Sequence, residues 1–172
     1  MSTVNISVIT KDDWSVYKSL RLRSLQESPD SFGSTYENEL YFSDEEWLSR
    51  LNVVGRERNV LPLIAEVNGN PSGVAWALVH DVDTKTAYVY QMWVAPEARG
   101  TGIGRALLKH IITWAESASL DRVTLAVTTT NSAALGLYES LGFVPHGDVE
   151  ALRLGSVLNV QPMILQLRAN AV

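Results

Sequence analysis

Cysteine is absent from this chain, which excludes disulfides, thiolate metal sites and a cysteine nucleophile. The three histidines, His80, His110 and His146, are scattered without the spacing of a metal site, so no metal is expected. No stretch approaches the ~18 uninterrupted apolar residues that read as a membrane span. Met1 to Thr10 lacks both the basic start and the apolar run of a signal peptide. The expected location is therefore cytoplasmic, with no membrane partner. Positive charge is also in short supply: 14 Lys and Arg against 19 Asp and Glu leave a net charge of −5, which argues against general nucleic-acid binding through a basic face. A polyanionic small ligand is still compatible, because only the local charge matters at its site. An acidic remainder also favours cationic amines through long-range steering, although mild acidity is common among proteins without that role.

Apolar residues make up 46% of the 172, enough for one continuous core, and no linker, repeat or low-complexity segment divides the chain. A single domain over residues 1–172 is expected. Val4 to Ile9 alternates as an opening strand. Thr10 or Asp12 can cap a helix reaching about Glu27, with Trp14, Tyr17, Leu20 or Arg21, and Leu25 at helical spacing. Ser31 to Phe42 has no clear period and reads as loop. Ser43-Asp-Glu-Glu46 is a capping box into a short helix with Trp47 and Leu51 on one face.

Val60–Val67 and Ser72–His80 read as strands joined by Asn68-Gly69-Asn70, a strong hairpin signal. A third strand is expected over Ala87–Val94. A helix follows over about Thr101–Ser117, with Ile103, Leu107, Ile111 and Trp114 or Ala115 as its apolar stripe. Arg122–Val127 is a strand, Ser132–Leu141 a helix stopped by Gly142, and Pro162–Leu167 a final strand.

Between the third strand and its helix lies the most informative stretch. Arg99 precedes glycines at 100, 102 and 104, and Arg105 follows. Glycine allows close backbone approach and positive φ, and the first amides of a helix lack intrahelical partners at its positive pole. The combination makes an anion cradle. It is not a P-loop, since Gly104 is followed by Arg105 and Ala106 rather than Lys and Ser or Thr. Nor is it a dinucleotide fingerprint: counted from Gly100, Arg105 stands where the third glycine belongs, and the loop lies past mid-chain.

The spacing Arg99-x-x-Gly102-x-Gly104, with Met92-Trp93-Val94-Ala95-Pro96 before it and Arg105-Ala106-Leu107-Leu108 after it, resembles the acyl-CoA loop of the GNAT superfamily of N-acyltransferases. A second stretch, Asn131-Ser-Ala-Ala-Leu-Gly-Leu-Tyr138-Glu-Ser-Leu-Gly142-Phe143, is similar to that family too. The resemblance implies an α/β (α+β) fold with a central mixed, mostly antiparallel sheet of about seven strands flanked by about four helices. It implies acetyl-CoA as co-substrate, an acetyl group as cargo and a primary amine as acceptor. The expected contacts to acetyl-CoA come from Met92, Trp93 and Val94, whose strand splays from the next at a bulge. Further contacts come from Arg99, Gly100, Thr101, Gly102, Ile103, Gly104 and Arg105, and from Asn131, Ala134 and Tyr138. Trp93 itself reads as a core side chain.

Asn131 and Tyr138 are seven residues apart, about two helical turns, and so face one way. Asn131 also reads as an N-cap. Tyr138 is the expected general acid, protonating the departing thiolate, and its alternative reading is a half-buried packing residue. Many relatives place a Glu near the glycine-loop strand. Here Tyr90 and Gln91 stand nearby, neither a plausible base, so Glu37, Glu39, His80, Asp81 and Glu150 are the candidates. Glu37 and Glu39 lie in the segment expected to line the acceptor side. Arg21-Leu22-Arg23 and Phe32-Gly33-Ser34-Thr35 resemble a subgroup of small bacterial members. Arg21 either reaches an acidic acceptor group or forms an ordinary surface ion pair. With no Cys nucleophile and no Ser-His-Asp arrangement, direct attack in a ternary complex is expected. The alternatives are a peptide or protein N-acetyltransferase and a non-catalytic acyl-CoA-binding module. A homodimer is kept open.

Overall fold

The computed structural model describes residues 2–167. The opening strand β1 (Val4–Val8) leads through a 3-10 turn into α1 (Trp14–Glu27). The segment expected to be loop instead contains α2 (Tyr36–Leu40), started by the Thr35 side chain accepting from the Asn38 amide. Then comes α3 (Asp44–Arg50), whose capping box is formed reciprocally by Ser43 and Glu46. Strands β2 (Val60–Val67), β3 (Asn70–His80) and β4 (Asp83–Val94) follow as an antiparallel meander. Asn68 and Gly69 adopt φ of 51° and 80°, the left-handed pair that a tight hairpin turn requires. After α4 (Ile103–Ser117) come β5 (Arg122–Thr128), α5 (Ser132–Ser140), the two-residue strands β6 (Val144–Pro145) and β7 (Glu150–Ala151), and β8 (Asn159–Gln166).

The sheet has eight strands in the order β1-β2-β3-β4-β5-β8-β6, with β7 pairing β8. Five α-helices flank it. The expected fold class is therefore correct. The extra helix is α2, and the additional strand comes from the short pieces that pair with β8. β3 and β4 begin earlier than expected because hairpin pairing extends to residues whose side chains carry no apolar signal, such as Asn70 and Asp83.

Alternating strand residues build a core on each face of the sheet. Leu61, Leu63, Ala65, Ala75, Ala77, Ala87 and Val89 pack on the face covered by α4. Val60, Ile64, Val74, Trp76 and Trp93 pack with Tyr17, Leu25 and Trp47 from α1 and α3 on the other. Small residues on β3 let α4 lie close. A Cβ on Gly73 would come within 3.3 Å of Ile103 Cγ2 and 3.4 Å of Leu107 Cδ1.

Two features of β4 shape the site. First, its pairing with β3 slips between Val74↔Trp93 and Trp76↔Tyr90, one extra residue on β4. Gln91 sits there with φ of 55°, a β-bulge. Its side-chain Oε1 accepts from the Tyr17 hydroxyl at 2.7 Å. Second, β4 and β5 are parallel neighbours only over Thr86–Tyr88 with Arg122–Thr124. Beyond Tyr88 the two strands separate, and the sheet opens.

Candidate active site

The opening is part of a cleft of about 1200 Å³. The downstream half of β4, β5, the glycine loop and α5 line one end of it. Arg21, Phe32, Gly33, Ser34 and Trp76 lie toward the other. The cleft thus links the α4 face of the sheet to the α1 face through the parted strands.

The glycine loop folds as its composition dictates. Gly100 and Gly102 take φ of 77° and 87°, and nothing lies within 4 Å of where a Cβ would stand on either. Gly102 is the residue just before α4. Among the described residues, the backbone amides from Gly100 to Arg105 donate to no protein acceptor, the first paired amide being that of Ala106, to the Gly102 carbonyl. A run of free amides at a helix start, with open space in front, fits a pyrophosphate. Gly104 serves differently. A Cβ there would meet Leu137 Cδ2 at 3.1 Å and Met92 Cε at 3.4 Å, so its small size is a packing requirement between α4, α5 and β4.

The charges around this cradle differ from the sequence reading. The Arg99 side chain is turned toward β4 and α1. Its Nε donates to the Val94 carbonyl at 3.0 Å and its Nη2 to Glu27 at 2.7 Å. Glu27 also accepts from Trp93 Nε1 at 2.9 Å and from the Ser28 hydroxyl. Burial pushes the Glu27 carboxyl up, but the bonds from Arg99, Ser28 and Trp93 outweigh it and hold the group at about 2. Arg99 is thereby neutralised and locks the loop to α1. Arg105 donates to Ser140 Oγ at 2.7 Å. Anion attraction at the cradle thus falls to the free amides, the helix dipole and Arg105. Thr101 is the one expected contact outside the cleft lining, because its hydroxyl is turned back to the Ala98 carbonyl at 2.5 Å. The others, Met92, Trp93, Val94, Arg99, Gly100, Gly102, Ile103, Gly104, Arg105, Asn131, Ala134 and Tyr138, all line it.

Asn131 caps α5, its side chain accepting from the Ala134 amide at 3.1 Å. Two turns on, Tyr138 packs its ring against Phe143 and is 7% exposed. Its hydroxyl has no hydrogen-bond partner among the described residues. Burial pushes its phenol up to about 12, so it holds its proton throughout the neutral range.

The expected acceptor-side carboxylates are corrected. Glu39 is buried, its side chain 2% exposed. It accepts from Arg21 Nε and Nη2 at 3.1 and 2.8 Å and from Arg50 Nη1 at 2.8 Å. Burial opposes its charge, and the bonds from the two guanidiniums still leave the carboxyl below its usual range. A carboxylate so engaged is a structural anchor and a poor proton acceptor. Glu37 and Asp81 are exposed and outside the cleft lining. His80 and Glu150 do line it. His80 Nε2 lies 3.0 Å from the Tyr90 hydroxyl. Sequence reasoning missed Glu27, whose place beside Arg99 depends on a contact spanning 72 residues. Among the described residues no three His, Asp or Glu side chains gather as a metal site, and no helix is long and apolar enough to cross a membrane.

A parted parallel strand pair beside a glycine loop at a helix N-terminus fits an acyl-CoA-type transferase site. The model of the acetyltransferase (GNAT) family matches residues 21–143, and the chain belongs to that family, an acyltransferase by class. Over 84 residues it is 44% identical to the mycothiol acetyltransferase of Thermobispora bispora; the match covers 46% of this chain and 28% of that relative's length. The chain therefore aligns with less than a third of that curated relative. Its fold is similar to that of an acetyltransferase of the GNAT family from Streptococcus pneumoniae, with a TM-score of 0.82 and 24% identity, over 95% of this chain and 99% of the other. It is also similar to the spermidine N-acetyltransferase of Vibrio cholerae, solved with CoA and spermine, with a TM-score of 0.77 and 20% identity over 95% of each chain.

Proposed function

We propose that this chain transfers the acetyl group of acetyl-CoA to the primary amine of a small molecule, by direct attack within a ternary complex. The observation that carries the reading is the single cleft through the parted β4 and β5. Free amides from Gly100 to Arg105 and the Tyr138 side chain line one end of it, and Arg21, Phe32 and Trp76 line the other, toward the α1 face. Acetyl-CoA would supply an activated acyl group as a thioester. The glycine-loop amides hold its pyrophosphate, and the unpaired edge of β4 from Gln91 to Val94 receives the pantetheine arm. A β4 amide near Val94 polarises the carbonyl, a preorganised donor of the oxyanion-hole kind. Tyr138 supplies a proton to the departing sulfur. The attacking amine must be neutral. His80 and Glu150 are the base candidates that reach the cleft, and the Tyr90 hydroxyl beside His80 offers a short relay between ring and cleft.

Release of free thiol from acetyl-CoA, followed across a panel of primary amines, tests this. Amine-dependent release with formation of the N-acetyl product is the expected result. CoA binding without amine-dependent release by any member would replace the transferase reading with a binding module.

A further inference from the structure

Beside the acceptor end of the cleft, and reaching it through Arg21, is a charge imbalance that acetyl transfer alone does not need. Arg21 and Arg50 both bond to the single carboxylate of Glu39, so the cluster holds two positive charges against one negative. The Arg21 side chain is 5% exposed and stacks over the Phe32 ring, its Cζ 4.8 Å from the centroid. Its Nε and Nη2 are used on Glu39, whereas Nη1 has no hydrogen-bond partner. Behind the same segment, Arg153 donates to the carbonyls of Phe32 and Pro29, adding a guanidinium that has no carboxylate partner among the described residues. Arg21 and Phe32 both line the cleft.

A buried charged donor left without a partner costs free energy, and a net positive cluster out of water costs more. Nearby anions do not relieve it. Glu27 is engaged by Arg99, and Tyr17, which would carry a negative charge only as a phenolate, donates its proton to Gln91. A guanidinium fork with two positions occupied and the third buried without a partner is suited to one more oxygen of an anion, planar and accepting. Arg21 lies on α1 six residues before Glu27, the point at which Arg99 ties the glycine loop to that helix, and it meets Glu39 and Phe32 instead of the loop, which puts it on the acceptor side and not beside the CoA phosphates.

We infer that the amine acceptor carries a carboxylate, which binds against Arg21 Nη1 and completes the Arg21–Glu39–Arg50 cluster. The amino group to be acetylated then points toward the parted strands. This deepens the proposed transfer reaction and rests on it for the word acceptor. The binding preference itself is independent of turnover. A site built around a buried donor also rejects an acceptor that lacks the matching group.

The test uses product-like probes on the CoA complex, with binding read by calorimetry: N-acetylglycine, N-acetyl-β-alanine and N-acetyl-γ-aminobutyrate, each beside its carboxamide. The series varies the distance between amide and carboxylate, and so separates an α-amino acid from a longer acidic amine. At least one carboxylate should bind roughly tenfold or more tightly than its carboxamide, the range of a charge-assisted hydrogen bond to a buried group. In Arg21→Lys, which keeps the charge but loses the fork, that ratio should shrink to within about threefold while CoA affinity stays the same. The pairs measured on the unaltered protein decide the question even if the variant does not fold. Equal binding of acid and amide across the series, or no binding of either, overturns the carboxylate assignment. Amine-dependent thiol release in that case would leave the transferase reading standing. Carboxylate preference with no thiol release from any amine would do the reverse.

Discussion

Replacing Tyr138 by Phe isolates one oxygen atom. The ring is 7% exposed and packs against Phe143 with centroids 6.1 Å apart, and Phe keeps those contacts. The hydroxyl has no hydrogen-bond partner among the described residues, so its removal orphans nothing. Stability should change by no more than about 0.5 kcal/mol, as for substitutions that touch no packing or polar network. The effect on turnover is of another size. A phenol pushed up to about 12 by burial is fully protonated at neutral pH and available as a donor. It is also a weaker acid than a thiol, whose ordinary value is about 8.5. Full proton transfer to a free thiolate is therefore uphill, and the gain must come from donation to sulfur as charge develops. The loss should sit at the lower end of the range for general acids, about 10²-fold in kcat. Acetyl-CoA affinity should stay nearly the same, the mark of an interaction made in the transition state. The assay is single-turnover thiol release, with CoA affinity by calorimetry and stability by urea unfolding. A kcat within about threefold of the unaltered protein, with chemistry limiting, would refute the proposed role and leave water as the proton source.

Three other substitutions probe the frame. Gly102→Ala places a methyl in open space before the free amides and imposes a left-handed φ on a residue with a Cβ; CoA affinity measured by calorimetry should fall at least tenfold, about 1.4 kcal/mol, and an unchanged value in a folded variant removes the cradle. Glu39→Gln leaves Arg21 and Arg50 without a counter-charge and should destabilise the fold by about 3–5 kcal/mol, whereas Glu37→Gln on the exposed side of α2 should be near neutral in the same urea titration. Glu27 is held at about 2 against roughly 4.3 in an unfolded chain, so its contribution is complete above the unfolded value and is lost as pH falls from there toward 2. Glu27→Gln should flatten that acid limb in thermal melts taken at stepped pH, and an unaltered limb would show that the Arg99 contact does not lock the loop.

The features legible in the sequence are those fixed by neighbours in the chain. The turn at Asn68-Gly69, the Ser43–Glu46 capping box and the glycine loop each rest on backbone needs satisfied within a few residues. The short helix α2 escaped notice because Tyr36–Leu40 is a single turn and a half with polar residues on most sides, too short for a period. The fate of Glu39 and Arg99 was not readable at all. Each is decided by a partner 18 or 72 residues away, and the same residue types would be solvated charges had α1 packed at a different angle. The separation of β4 from its neighbour followed from the family resemblance, but its seat did not. Nothing in Tyr90-Gln91-Met92 marks a non-glycine residue for positive φ.

That seat has a consequence for how this strand can vary. Ahead of Gln91 the odd-numbered residues Ala87 and Val89 face α4; after it the even-numbered Met92 and Val94 do, and Trp93 faces α1. Gln91 acts as a frame-shift in the strand's alternation, and the cleft depends on it. Substitutions at 91 leave the extra residue in place, whereas its loss would let Met92 follow Tyr90 in plain alternation, with Met92 and Val94 still toward α4 and Trp93 still toward α1, so that the bulge disappears while the core faces stay as they are. A change of length at this point would therefore be felt in the opening beside β4 and not in the packing of either core.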